Sequence, residues 1–239
     1  VVLNDLYGIE LVAIPGKPIG VIMGHTEKTD PQGRIIVNNA GLPQVATDKV
    51  EYGNINADFT MGLSTTVRYK DFSLSANMDY RKGGLMYAYT QRLTQFVGNS
   101  TNSLYNDRKP WVVPNSVVQV GTDEYVENTI PIDYANVYAY WNQTSNNSRS
   151  KDHVIDRSFM KLREVTLGYR VPESILSKTP ISSLYVNLVG RNLLLFTPLE
   201  NNIIDPETTT FGNDLLSEFG EFGVGPTLRS YGLSLKATF

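Results

Sequence analysis

The sequence predicts an all-β protein of antiparallel strands, and three observations support this fold class. Aromatic residues, which favour pleated and half-buried surfaces, are frequent, since the 239 residues include 14 Tyr and 9 Phe. The 19 Gly and 12 Pro are spread along the chain as turn and loop residues. Three segments alternate strictly between apolar and polar residues, which is the period of a strand with one buried and one wet face.

Strict alternation covers residues 59–69, 72–81 and 231–239, the last of these within a strand predicted at 227–239. The first two are separated only by Lys70 and Asp71, which predicts a hairpin. Two weaker strands are predicted at 159–171, which begins irregularly around residues 161–164, and at 184–196, which is partly apolar on both faces. A further short strand is predicted near residues 18–25.

Composition excludes several classes of protein. The formal net charge is −3, and the 21 Lys and Arg are scattered, so no surface for nucleic-acid phosphates is expected. Cysteine is absent, which excludes disulfides and Cys-ligated zinc. No apolar run approaches the roughly 18–20 residues of a membrane-spanning helix. The chain begins without Met or an apolar leader, so we expect it to start inside a longer chain or after processing.

The alternating strands suit either a membrane barrel or a soluble β-sandwich, and two features favour the barrel. Charges lie among small hydroxyl residues on the polar faces, as in a wet lumen, at Arg68, Asp79, Arg81 and Lys236. Aromatic residues lie at or near strand ends on the apolar faces, as in interfacial girdles of lipid-facing barrels. These residues are Phe59, Tyr69, Phe72, Tyr80, Tyr231 and Phe239.

The connections between predicted strands also favour a barrel. Read backward from the C-terminus they are long, short, very long and very short: residues 197–226, 172–183, 90–158 and 70–71. Outer-membrane barrels have long extracellular loops and short periplasmic turns. The expected extracellular loops are therefore residues 25–58, 90–158 and 197–226. A connection as long as 90–158 is uncommon in a compact soluble domain.

From Phe159 onward the sequence resembles SusC/RagA-like TonB-linked outer-membrane proteins. The run FMKLREVTLGY at 159–169 is similar to the family's F-x-K-L-R-E-V-T-L-x-Y strand, and residues 181–193 are similar to its I-S-S-L-R-V-x-L-x-G-R-N-L strand. Ile204-Asp205-Pro206-Glu207 matches its I-D-P-E loop. Upstream, residues 53–59 resemble its G-N-x-N-P-D-F segment, with Ala57 where Pro is usual.

The resemblance implies a fold and a function. The chain would be the C-terminal part of a 22-stranded transmembrane β-barrel in the outer membrane, whose plug domain and signal peptide are not in this sequence. Its activity would be TonB-energised uptake of oligosaccharides or peptides, with a SusD-like surface lipoprotein as partner and TonB acting through the missing N-terminal part. Phe239 would be the assembly signal. Two alternatives remain open: a passive porin or adhesin barrel, and a secreted β-sandwich that binds glycans.

The sequence indicates no enzyme and no cofactor or metal site, because it lacks catalytic and phosphate-binding motifs. His25 and His153 lie in predicted loops, where solvated side chains are expected. Asp205 and Glu207 are an acid pair or cation site on one interpretation, and solvated carboxylates beside a turn on the other. The longest predicted loop is rich in aromatic residues. On one interpretation they stack on a sugar or grip a peptide, and on the other they pack the loop on itself or on a partner. These are Trp111, Tyr134, Tyr138, Tyr140 and Trp141.

Overall fold

The computed structural model describes residues 1–142, 147–201, 203–210 and 217–239. Their strands, in chain order, are β1 (Val2–Leu6), β2 (Ile9–Val12), β3 (Val21–Gly24), β4 (Ile35–Val37), β5 (Val50–Asn54), β6 (Phe59–Tyr69), β7 (Phe72–Lys82), β8 (Leu85–Ala88), β9 (Ser116–Gly121), β10 (Glu124–Glu127), β11 (Val154–Asp156), β12 (Phe159–Arg170), β13 (Ser183–Phe196), β14 (Gly220–Glu221) and β15 (Ser230–Thr238). The α-helices are α1 (Tyr89–Phe96), α2 (Val137–Trp141) and α3 (Glu173–Leu176), and short 3-10 helices cover Thr101–Arg108, Asn147–His153 and Ser217–Phe219.

The chain divides into two compact units. The first consists of Val1–Asn56, Gly84–Asp156 and Thr209–Val224, and the second consists of Ala57–Gly83, Arg157–Thr208 and Gly225–Phe239. Among the described residues every strand pair is antiparallel except β4–β9 and β8–β14. The prediction of a mostly β, antiparallel chain is therefore confirmed. No helix in the described part of the chain has both the length and the apolarity needed to span a membrane.

The second unit is built on one five-stranded antiparallel sheet with the order β15-β13-β12-β7-β6. The β6–β7 hairpin keeps a regular register from Phe59 opposite Lys82 to Tyr69 opposite Phe72. Lys70, at the turn between them, adopts the left-handed conformation with φ of 53°. Within the described residues, β6 and β15 are the two edges of this sheet.

The irregular start of β12 is a β-bulge. Leu162 lies opposite Met78 and Glu164 lies opposite Asn77, so Arg163 is one extra residue relative to β7. The register between β12 and β13 shifts at the same place. There Asn192 of β13 adopts the left-handed conformation, with φ of 51°. A bulge re-aims side chains and increases the local twist. It explains why the alternation predicted for this strand fails around residues 161–164 and is regular afterwards.

Alternation gives the sheet one apolar and one polar face. Cross-strand rows such as Val67, Leu74, Leu167, Leu188 and Leu233 lie on the apolar face. That face is exposed, because large apolar side chains along it keep more than a third of their surface accessible. These include Phe59, Met61, Leu63, Val67, Tyr69, Phe72, Leu74, Leu167, Leu188, Leu194, Phe196, Tyr231, Leu233 and Leu235. Isolated proteins in water rarely leave so continuous an apolar surface uncovered.

The first unit contains three small sheets, in the orders β1-β2-β3-β5, β10-β9-β4 and β11-β8-β14. Its larger core cluster is formed by buried Ile9, Leu11, Ile22, Ile55, Tyr87 and Phe219. A second cluster is formed by Val37, Trp111, Val113 and Ile132. Fully burying an aliphatic side chain of this size contributes roughly 1.5–3 kcal/mol, so these clusters stabilise strands that are individually short.

Glu221 connects the third of these sheets to α1. Its buried carboxylate accepts the backbone N–H and the hydroxyl of Thr90, and also the N–H groups of Gly223 and Val224 at 2.6 and 2.8 Å. The first turn of a helix leaves backbone N–H groups without intrahelical partners. Glu221 thus caps the N-terminus of α1, although it is distant from that helix in the sequence.

The observed elements differ from the predicted ones in two respects. The strand predicted near residues 18–25 is β3, but it pairs with β2 and β5 in the first unit and is not part of the five-stranded sheet. The segments expected to be loops, at 25–58, 90–158 and 197–226, contain strands and helices of the first unit. The five remaining strands, predicted at 59–69, 72–81, 159–171, 184–196 and 227–239, correspond to the five-stranded sheet.

Candidate functional site

The polar face of the five-stranded sheet holds the charged residues that the sequence suggested would line a lumen. Arg68 lies opposite Ser73, Asp79 opposite Gly62, Arg81 opposite Thr60, and Lys236 opposite Tyr185. By alternation these four side chains belong to one face. Asp79 also lies opposite Lys161 and accepts a hydrogen bond from Arg163 Nε at 2.7 Å.

The most organised part of this face is an ion-paired cluster around Lys161, which is 2% exposed. Its ammonium lies 2.6 Å from an Asp205 carboxylate oxygen and 2.8 Å from a Glu207 oxygen. Arg163 bonds the same Glu207 through two guanidinium nitrogens. We call Lys161, Arg163, Asp205 and Glu207 the clip, because the two cations of β12 hold the two acids of the loop that follows β13.

Further hydrogen bonds fix the clip. Thr227 donates its hydroxyl to Asp205, and Asp205 also accepts the backbone N–H of Glu207 at 3.1 Å. Arg157 Nε donates to the carbonyl of Pro206 at 2.8 Å. Burial alone would raise the pKa of the Asp205 carboxyl, but hydrogen bonds from Lys161 and Thr227 outweigh it and hold that pKa below its usual range.

The clip corrects one sequence-based interpretation. Asp205 and Glu207 were expected to be solvated carboxylates beside a turn, yet Asp205 is buried and both acids are ion-paired. The Asp-Pro turn does form, since Thr208 donates its backbone N–H to the Asp205 carbonyl at 3.0 Å. What the sequence did not reveal is the partner, because Lys161 is far from Asp205 along the chain. The signal present was a pair of cations where the alternation of β12 breaks down.

The five aromatic candidates of the longest connection separate into two groups. Trp111 and Trp141 are buried and pack around Tyr140, with ring centroids 5.2 Å apart for Trp111–Tyr140 and 5.0 Å for Tyr140–Trp141. Arg149 lies over the Tyr140 ring at 4.2 Å. These contacts describe packing within the first unit. Tyr134 and Tyr138 are instead exposed, at 71% and 56%, so their rings are accessible to a ligand.

The two histidines have different surroundings. His25 is half-buried, with Nδ1 3.0 Å from the carbonyl oxygen of Ala46. His153 is 1% exposed, so the expectation of a solvated side chain was wrong for this residue. Burial, together with the positive charges of Arg149 and Arg92, lowers the pKa of His153 to about 3. No group of three or more His, Asp or Glu suited to a metal ion occurs among the described residues.

Comparisons with known proteins found similar sequences and similar folds. No family model matches the sequence. TonB-dependent receptor P3 of Formosa agariphila is 26% identical over 217 residues, covering 88% of this chain and 19% of that protein. TonB-dependent receptor P26 of the same organism is 25% identical over 198 residues, covering 80% and 18%. The chain thus spans about a fifth of the length of these curated relatives.

Solved structures of the RagAB peptide importer share the fold. The closed-closed state aligns with a TM-score of 0.54 at 16% identity, covering 95% of this chain and 25% of that one. The open-open state aligns with a TM-score of 0.55 at 17% identity, covering 95% and 24%. In class, the chain is mostly β and shares the fold of about a quarter of one chain of those structures. More particularly, its resemblance to TonB-dependent receptors is confirmed by the sequence matches.

Proposed function

We propose that this chain forms part of the wall and the surface-exposed loops of a 22-stranded outer-membrane barrel that imports nutrients with energy from TonB. The observation that supports this most is the exposed apolar face of the five-stranded sheet, opposite a polar, ion-paired face. Strands in an outer-membrane barrel present apolar residues to lipid and polar residues to the interior. Arg68, Asp79, Arg81 and Lys236 are then lumen-facing, and Phe239, which follows β15, is the assembly signal.

The proposed orientation follows from the connections. The β6–β7 turn at Lys70-Asp71 and the link between β12 and β13 leave one end of the sheet, and the longer connections leave the other. Short turns are periplasmic and long loops extracellular in such barrels. The longer connections, including the one that contains Tyr134 and Tyr138, would therefore be extracellular.

The substrate and partners are proposed from the resemblance. Oligosaccharides and peptides are both suited to exposed tyrosine rings beside amide-rich loops. The solved structures with this fold are titled as a peptide importer, which makes peptides the first substrates to test. A SusD-like surface lipoprotein would cover the barrel, and TonB would act on a plug domain in the remaining polypeptide.

Single-cysteine labelling tests the proposed topology in a full-length protein whose only cysteine is the one introduced; residues 1–239 contribute none. In the full-length protein, Asp123→Cys lies in the β9–β10 turn and Asp71→Cys lies in the β6–β7 turn. A membrane-impermeant maleimide added to intact cells should label the first and reach the second only after permeabilisation. Equal labelling of both in a soluble fraction would support the secreted β-sandwich instead.

Energy dependence separates an importer from a passive barrel. Uptake of a labelled peptide mixture should stop when the proton gradient is collapsed, although the protein stays in the outer membrane. Uptake that continues unchanged would favour the passive porin.

A further inference from the structure

The apolar face of the five-stranded sheet contains a groove of about 450 Å³ near one end of β6, β7 and β12. Its apolar lining comes from Met61, Leu63, Met78, Tyr80 and Met160. The volume falls within the roughly 300–1,000 Å³ typical of small-molecule pockets. The groove is therefore large enough to receive a ligand, although nothing in the proposed transport uses it.

Strand register explains where the groove lies. Met61, Tyr80 and Met160 form one cross-strand row on the apolar face, and the next row includes Leu63 and Met78. The bulge at Arg163 follows immediately on β12. The groove therefore lies beside the bulge, where the local twist of the sheet increases.

The lining selects a hydrocarbon ligand. Three of the five lining side chains are methionines, whose flexible and polarisable thioethers adapt to irregular apolar shapes. Such a surface offers few hydrogen-bonding partners for a sugar or a peptide backbone. A flexible acyl chain, which has no fixed shape and no polar atoms along its length, matches this chemistry.

A positively charged residue, Lys82, lies beyond one end of the groove on the same face of the sheet. Alternation along β7 places Lys82 after Met78 and Tyr80, and Lys82 lies opposite Phe59. Lys82 is two residues beyond Tyr80, so it lies about 7 Å along the strand from the nearest lining residue of the groove. The ring of Phe59, opposite Lys82, lies 5.8 Å from the ring of Tyr80 in the groove lining. Lys82 takes part in none of the ion pairs of the described residues. Asp58 donates its backbone N–H to the Lys82 carbonyl at 2.8 Å, and its carboxylate lies beside Gly83.

We propose that this groove binds one acyl chain of an anionic, phosphate-bearing lipid, with the phosphate at the Lys82 ammonium. The inference rests on the proposed function, because lipid reaches this face only if the sheet lies in a membrane. The end of the sheet that holds Lys82 is the one proposed to face the exterior, so the lipid belongs to the outer leaflet.

Native mass spectrometry of the full-length protein, released from detergent, tests the proposal with two probes. These are dioleoylphosphatidylglycerol and dioleoylphosphatidylcholine, which share acyl chains but differ in net charge. The wild-type protein should retain phosphatidylglycerol preferentially. Lys82→Gln should weaken that binding about fivefold, the effect of one lysine near an anionic lipid surface. Met160→Trp should weaken binding of both lipids by filling the groove.

Matched controls use the same hairpin and the same face. Lys70→Gln removes a lysine at the opposite end of the β6–β7 hairpin, and Leu235→Trp adds a tryptophan to the apolar face away from the groove. Both should bind phosphatidylglycerol as the wild type does. Equal retention of the two lipids by the wild type, or equal losses in variants and controls, would overturn the proposal. Cysteine labelling of the same variants distinguishes the failures, since an inserted protein without lipid preference overturns only this inference.

Discussion

His153 is a residue whose buried position has a consequence for stability. It is neutral at pH 7, because burial and the nearby charges of Arg149 and Arg92 lower its pKa to about 3. In the unfolded chain its pKa returns to about 6.5. Between these two values the unfolded chain therefore binds a proton that the folded chain does not.

The stability of the first unit should accordingly fall as the pH decreases from about 6.5 toward 3, since protons then favour the unfolded chain. A His153→Gln variant should show a flatter dependence between pH 6.5 and 4.5, a range above most carboxylate titrations. Hydrogen exchange of amides in β8 and β11 would measure this. Parallel pH profiles for the two proteins would contradict a neutral, buried His153.

Lys161 is the second residue on which a stability prediction depends. It is buried between two carboxylates, so Lys161→Met leaves Asp205 without its cation. Breaking a buried ion pair from one side destabilises by about 3–5 kcal/mol. Lys236→Met, on the same polar face but exposed, should change stability by no more than about 0.5 kcal/mol. Chemical unfolding of the full-length protein in lipid vesicles would compare the two variants. Similar losses in the free energy of unfolding would show that the clip contributes no more to stability than an exposed lysine.

At the scale of the strands, lysine substitutions at neighbouring residues of β7 are expected to have different effects on stability, because the residues lie on different faces. Ala76 lies on the apolar face near the middle of the strand, and Ser75 lies on the polar face. Ala76→Lys should destabilise by about 2–4 kcal/mol if lipid covers that face, whereas Ser75→Lys should be mild. Unfolding in lipid vesicles measures both variants. Equal effects would indicate a sheet with cores on both sides.

The bulge of β12 makes a separate prediction about deletions. Removing Arg163 restores simple alternation from Leu162 through Glu164 to Val165, so the faces of the strand are kept. Removing Thr166, three residues later, shifts the residues before it by one and moves each to the opposite face. The first deletion should reduce stability by loss of the clip but still permit insertion. The second should abolish the folded, membrane-inserted fraction, as judged by protease resistance.

Strands with strict alternation were predictable because their pattern is local. The hairpin of β6 and β7 and the final strand follow from single runs of sequence. The strands of the first unit were not predicted as sheets, because most span only two to six residues and depend on partners distant in the chain. The clip was missed for the same reason, since Lys161 and Asp205 are joined only after β12 and β13 have paired.

At the scale of the whole molecule, the five-stranded sheet ends in two edges, β6 and β15. Backbone groups along such edges lack hydrogen-bond partners, and in hydrocarbon each unsatisfied group costs several kcal/mol. In the proposed barrel, neighbouring strands would satisfy them. Residues 1–239 expressed alone in detergent-free buffer should therefore aggregate, as sedimentation would show. A monodisperse monomer that unfolds cooperatively would instead revive the soluble β-sandwich.

The hydrogen bond between Thr227 and Asp205 also bears on how such proteins diversify. It joins the two ends of the stretch from Pro206 to Pro226, so that stretch is closed at its base. Doubling the length of a flexible closed loop costs only about 0.6 kcal/mol. Length can therefore vary within this stretch at small cost, but exchange of the whole stretch has to keep Glu207, which completes the clip, and Phe219 and Glu221, which pack in the first unit.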